Sequence, residues 1–177
     1  VACASIILKT RSFQCPKATF TLTVPGVGRQ AIPGAFSYNK TTGTADIELS
    51  SVAVAGGRLR CHIIASEAGV DVRYTGTQLQ LAGLREVAAN FSDAFAEYST
   101  EGVADIAGTI SAPAGKPMHI ILAADLGDAS LANNAGTIAA AGVTGKLDLD
   151  ITLEPDTTRL NLDFDSKQGE AYIEPVY

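Results

Sequence analysis

Apolar and polar positions alternate with a period of two over most of the chain. Phe20, Leu22 and Val24 are interleaved with Thr19, Thr21 and Thr23, which on a pleated backbone puts an apolar and a hydroxyl face on opposite sides of a strand. Pro25, Gly26, Gly28, Pro33 and Gly34 then break the pattern. Asn39 to Gly43 reads as the turn of a hairpin between Phe36–Tyr38 and Thr44–Leu49. Gly56-Gly57 and Glu67–Gly69 mark further turns, leading into strands over Arg58–Ala65 and Val70–Tyr74. After Gly83 the period changes: Leu84, Val87, Ala88, Phe91, Ala94, Phe95 and Tyr98 recur at spacings of three and four, the signature of an amphipathic helix of about four turns. Its aromatic stripe is broad enough to plug the open face of a curved sheet. Strands resume over Val103–Ser111 and Met118–Ala124. Asp128 to Gly142, rich in Ala, Asn and Gly, is expected to begin as a helix capped by Asp128 and to fray into loop.

The C-terminal hairpin is the most legible segment. Leu147, Leu149, Ile151 and Leu153 alternate with Lys146, Asp148, Asp150 and Thr152, and after Glu154-Pro155-Asp156-Thr157 the alternation restarts at Leu160, Leu162 and Phe164. A four-residue loop predicts Ile151 opposite Leu160, Leu149 opposite Leu162 and Leu147 opposite Phe164 on a buried face. On the outer face it sets Thr152 against Arg159, Asp150 against Asn161, Asp148 against Asp163 and Lys146 against Asp165. The pattern as a whole predicts a mainly β (α+β) fold: an antiparallel sheet with one main amphipathic helix packed on it, in a single domain over 1–177 with 1–17 as an N-terminal arm.

Composition narrows the function classes. The 177 residues carry a net charge of −6, which argues against a nucleic-acid partner because phosphate binding needs a basic face. No apolar run approaches the roughly 18–20 residues of a membrane-spanning helix. The two histidines, His62 and His119, each fall inside a predicted strand. No GxSxG elbow, HExxH helix, phosphate-cradling loop or zinc-type Cys/His spacing is present. The expectation is therefore a protein without catalytic residues, metal or cofactor. The enzyme alternative needs a cleft that holds a histidine beside a carboxylate and a nucleophile.

The sequence contains Cys3, Cys15 and Cys61. Cys15 and Cys61 fall in different predicted strands, and a bridge between them would stabilise by about 3–4 kcal/mol. Cys3 follows Val1-Ala2, so it reads as a lipidation site at the end of a lipobox, against the alternative of plain Met removal before Val1. In a reducing compartment the same cysteines would be small buried hydrophobes.

Gly83-Leu84, Val87, Ala89-Asn90-Phe91, Asp93-Ala94 and Ala96-Glu97, followed by Ile106-Ala107-Gly108-Thr109-Ile110-Ser111-Ala112, resemble the central helix and following strand of the mycobacterial LppX/LprG lipoprotein family. Leu22-Thr23-Val24, the Gly69 turn before Val70–Tyr74, and Ala139–Val143 feeding the last hairpin follow the same order. The resemblance covers about two-thirds of the chain. Three features depart from it: a short, apolar segment from Cys3 to Lys17, the absence of Trp, and Lys116–Gly136, which has no counterpart. The resemblance implies a strongly curved sheet or half-barrel with helix on its concave face, enclosing an apolar cavity for acyl chains. Members carry triacylated lipids or glycolipids across the cell envelope.

On that basis the expected function is a non-catalytic carrier of lipid acyl chains, secreted or tethered to a membrane, in an extracellular or envelope location. The cavity candidates are Phe20, Leu22, Ile47, Leu49, Ile63, Val72, Leu84, Phe91, Phe95, Ile120 and Leu122, and a filled core is the alternative at each. A second function fits the same pattern. Thr-rich strands, low charge and an apolar Ile6-Ile7-Leu8 suit a structural subunit of an extracellular fibre, pilus or virion that self-assembles by strand exchange through residues 1–14.

Overall fold

The structure, a computed structural model, describes residues 1–24, 28–90 and 93–174. Eleven strands run in chain order: β1 (Ala2–Cys3), β2 (Ile7–Lys9), β3 (Ser12–Val24), β4 (Gly28–Asn39), β5 (Thr44–Val54), β6 (Gly57–Ser66), β7 (Gly69–Gln80), β8 (Tyr98–Pro113), β9 (Met118–Asn133), β10 (Ile138–Leu153) and β11 (Thr158–Ile173). Between β7 and β8 lie helix α1 (Leu81–Ala89) and a 3-10 turn (Asp93–Glu97). The strands form one antiparallel sheet that is not closed, in the order β1-β3-β4-β5-β6-β7-β8-β9-β10-β11, with β2 paired to β3. The N-terminal arm is held in cis, since Ala2 pairs with Thr19 and Ile7 with Gln14.

Alternation along each strand puts apolar side chains on one face in rows that run across the sheet. Phe36, Ile47, Ile63, Val72, Ile110, Ile120, Ile151 and Leu160 are direct neighbours on successive strands. The next row holds Leu49, Cys61, Tyr74, Gly108, Leu122, Leu149 and Leu162. Tyr74 lies across Gly108, where any Cβ would collide with its ring, and donates from its hydroxyl to the Ile121 carbonyl at 3.2 Å.

A line of bulges crosses the sheet. Extra residues fall on β3 between Cys15 and Ala18, on β5 between Leu49 and Val52, on β7 between Gly76 and Leu79, and on β9 and β10 around Asp128 and Gly142. They lie on adjoining rungs, because Ala18 pairs with Gly34 and Gly34 with Leu49, while Val52 pairs with Leu59 and Leu59 with Gly76. Each bulge bends its strand and increases the local twist, so aligned bulges form a crease. Gln78 and Asp128 take positive φ there (55° and 50°), and Asp105 accepts the freed Gln78 N–H at 2.7 Å.

Two sequence expectations about elements are corrected. Asp128 does not cap a helix: β9 continues through it to Asn133, and β10 starts at Ile138. Asp tolerates the left-handed backbone that a bulge requires, and ladder pairing outweighs the helix propensity of the alanines. The helix over 84–98 is also shorter and earlier than predicted. It runs nine residues from Leu81, and Asn90 ends it by donating from Nδ2 to the Glu86 and Val87 carbonyls at 2.8 and 3.3 Å. Gly83 lets it approach the β5–β6 turn, since a Cβ there would lie 2.6 Å from Ala55 Cα.

The packed core sits at the N-terminal end of the sheet. Cys15, Ala18, Phe20, Ile32, Leu49 and Val52 are buried together, with Cys3, Phe36, Ile47, Leu59, Cys61 and Ile63 packed against them. At the other end coverage fails. The hairpin register is as predicted, Ile151 with Leu160, Leu149 with Leu162 and Leu147 with Phe164, but that face of β11 is not buried: Leu160, Leu162 and Phe164 are 58, 60 and 42% exposed. Among the described residues no second layer lies over them. The accessible surface is 11442 Å², against about 8,100 Å² for a compact monomer of this mass.

Candidate functional site

The helix creates the site. Leu81, Leu84, Arg85 and Ala88 lie on one stripe of α1 at spacings of three and four, and Phe95 extends it from the 3-10 turn. Tyr98 and Thr100 on β8, Leu131 on β9 and Ile138 on β10 face them. Together they enclose an open groove of about 600 Å³, within the usual range for small-molecule sites. Arg85 and Thr100 supply its strongest polar groups. Arg85 Nη1 donates to the Tyr98 carbonyl at 3.3 Å, and its Nη2 lies 3.9 Å from Glu86. Thr100 Oγ1 is buried without a hydrogen-bond partner among the described residues.

Of the eleven cavity candidates, Leu84 and Phe95 line this groove. Phe20 and Leu49 belong to the packed core, with Ile47 and Ile63 against it. Leu22 is exposed near the end of β3. Val72 borders a separate notch of about 330 Å³ with His62, Arg73 and Ser111. Ile120 and Leu122 are half-buried on the apolar face of β9. Phe91 lies outside the described residues. The groove adds Ala88 and Tyr98, which the sequence places on the apolar stripe of the helix but not among the cavity candidates, and Leu81, Arg85, Thr100, Leu131 and Ile138. The spacing of three and four among Leu81, Leu84, Arg85 and Ala88 is a helical signal over about two turns, whereas Leu131 and Ile138 are hidden by the expected helix after Asp128.

The cysteine assignments are also corrected. The bridge joins Cys3 to Cys15, with Cα atoms 6.0 Å apart, and Cys61 is free. β4 and β5 stand between Cys15 and Cys61, a separation of roughly 14 Å along the sheet, beyond what a disulfide spans. Cys3, the expected lipidation site, is thus the other half of the bridge. Burial pushes the Cys61 thiol up from its ordinary pKa, and does the same to the Tyr74 phenol opposite it.

Each histidine meets a carboxylate. His62 Nε2 lies 3.0 Å from Asp46 Oδ1, and His119 Nε2 lies 2.7 Å from Asp150 Oδ1. Both pairs are part-exposed on the polar face. The hydroxyl nearest in sequence register, Ser111, donates to Asp71 at 2.6 Å. Among the described residues no group of three His, Cys, Asp or Glu side chains is placed to hold a metal ion, and no helix is long and apolar enough to cross a membrane.

Comparison with known proteins finds no matching family model, no matching curated protein and no matching solved structure.

Proposed function

We propose that the protein is a non-catalytic carrier that holds the hydrocarbon part of a lipid or glycolipid in the groove between α1 and strands β8–β10. The observation that carries this reading is the lining: leucines, an isoleucine, Ala88 and two aromatic rings around open space, where water gains few hydrogen bonds and an alkyl chain gains burial. The Arg85 guanidinium gives the polar end of an amphiphile something to bond. The large accessible surface fits a fold whose apolar layer is completed by a ligand. The Cys3–Cys15 bridge fits an extracellular or envelope location, where disulfides persist. The resemblance to the LppX/LprG family points to the same class of cargo.

The test is saturable binding of a fluorescent long-chain fatty acid, together with mass spectrometry of lipid extracted from the purified protein. Ala88→Phe, which fills the groove, should abolish binding with the circular-dichroism spectrum unchanged, while Leu160→Ser on β11 should leave binding intact. Absence of co-purifying hydrocarbon and of saturable binding would sink the carrier.

A second reading, a structural subunit assembled through residues 1–14, is favoured by the exposure of Ile6, Ile7 and Leu8. It requires the pairing of β1 and β2 with β3 to open and re-form between chains. Filaments lost on deleting the arm would establish it.

A further inference from the structure

β11 is the C-terminal edge strand of the open sheet, and all sixteen of its residues are exposed. From Thr158 to Ser166 its pairing with β10 runs without a bulge. Soluble proteins blunt such an edge with proline, inward-pointing charge or a bulge. Residues 158–165 carry no proline, and their apolar face presents Leu160, Leu162 and Phe164.

We propose that this edge pairs with the same edge of a second copy of the chain, antiparallel about a two-fold axis at Leu162. The side chains select both the occupant and the register. On the apolar face Leu162 then meets Leu162 of the second copy, and Leu160 meets Phe164. On the polar face Arg159 meets Asp165, and Asn161 meets Asp163. No like charges face each other. Moving the axis one residue later sets Asp163 against itself and Arg159 against Lys167. Moving it two residues later sets Asp163 against Asp165, and a shift of three sets Asp165 against itself. An axis at Asn161 avoids like charges but shortens the ladder and leaves Phe164 opposite Thr158. A self-complementary patch of this kind is what a two-fold interface needs, and cross-strand pairs of these types stabilise. The result is a continuous sheet whose apolar face spans both copies. The inference does not depend on the groove carrying lipid.

The experiment is sedimentation equilibrium of the full 177-residue chain across a concentration series, with circular dichroism to verify folding. The expected result is a monomer–dimer equilibrium. Leu162→Lys, which sets two ammonium groups at the axis, should raise the dimer dissociation constant by at least about tenfold, or 1.4 kcal/mol. Arg159→Asp and Asp165→Arg should each weaken the dimer, and the double exchange should restore it. A monomer at all concentrations, a dimer indifferent to Leu162→Lys, or a double exchange without restoration would each overturn the proposal. So would a dimer lost on deleting residues 1–9 and kept in Leu162→Lys, which would place the contact on the arm.

Discussion

Strands β3–β6 and strands β9–β11 are written in the same alternating code, yet one end of the sheet is a packed core and the other is not. Phe20 and Ile32 face each other across β3 and β4 and are buried, Ile32 to 1%. Leu149 and Leu162 face each other across β10 and β11, and Leu162 is 60% exposed. The difference lies in what covers the face. At the N-terminal end the bulges on β3 and β5 turn apolar side chains of neighbouring strands towards one another, and the disulfide fastens β1 alongside. Towards the C-terminal end α1 packs on β8 and β7, and among the described residues nothing shields β11. Periodicity reports which side of a strand is apolar, and coverage is a separate property set by bends and layers.

The sharpest way to break this comparison is truncation at matched positions. Ile32→Ala should lower the unfolding free energy by about 3–4 kcal/mol, the cost of a cavity in a close-packed site. Leu162→Ala should change it by about 0.5 kcal/mol or less when measured on the monomer at low concentration. Urea denaturation of the two variants gives the comparison directly. Equal losses would mean that the C-terminal face is covered in solution.

Next in size is the bridge. Cys3→Ser removes a cross-link closing twelve residues of chain, and chain entropy sets the loss at about 3 kcal/mol. The effect should be confined to the β1–β3 end, so hydrogen exchange should rise first in residues 2–20 while β8–β10 keep their protection. Uniform loss of protection would show that the two ends unfold as one unit.

How much of this was legible follows the same division. The hairpin register from Lys146 to Asp165 was readable because a four-residue loop and strict alternation leave one pairing that keeps the leucines together. The crease was not, because a bulge is one extra residue that inverts parity, and Gln78 and Asp128 are not residues that announce a positive φ. The groove was half legible. Leu84, Phe95 and Tyr98 follow from helical spacing, but Thr100, Leu131 and Ile138 enter it only through the strand order and the bulges, which are long-range facts. The Cys3–Cys15 bridge depends on β1 folding back onto β3, a pairing of two residues too short to leave a pattern.

A smaller effect tests the polar face of the C-terminal end. Asp148 stands opposite Asp163, and Asp105 opposite Asp125. Lys146 lies 3.7 Å from Asp125 and relieves the second pair, whereas the first has no cation recorded against it among the described residues. Asp163→Asn should therefore stabilise the monomer by about 0.5 kcal/mol at low salt, and the gain should shrink as ionic strength shortens the screening length. Asp125→Asn, which breaks an ion pair as it removes a repulsion, should gain less.

The smallest effect distinguishes the ends by titration. Burial raises the Cys61 thiol above its ordinary pKa of about 8.5. A group whose folded pKa lies above its unfolded value contributes stability that is complete below the unfolded pKa and is lost as pH rises through the folded one. The stability difference between the wild type and Cys61→Ala should hold constant up to about pH 8 and then fall against the wild type. Keeping the series below about pH 10 leaves Tyr74, which is raised by the same burial, protonated and silent. A flat difference across that window would mean that the Cys61 side of the sheet is as wet as β11, and that the N-terminal core ends at Leu49.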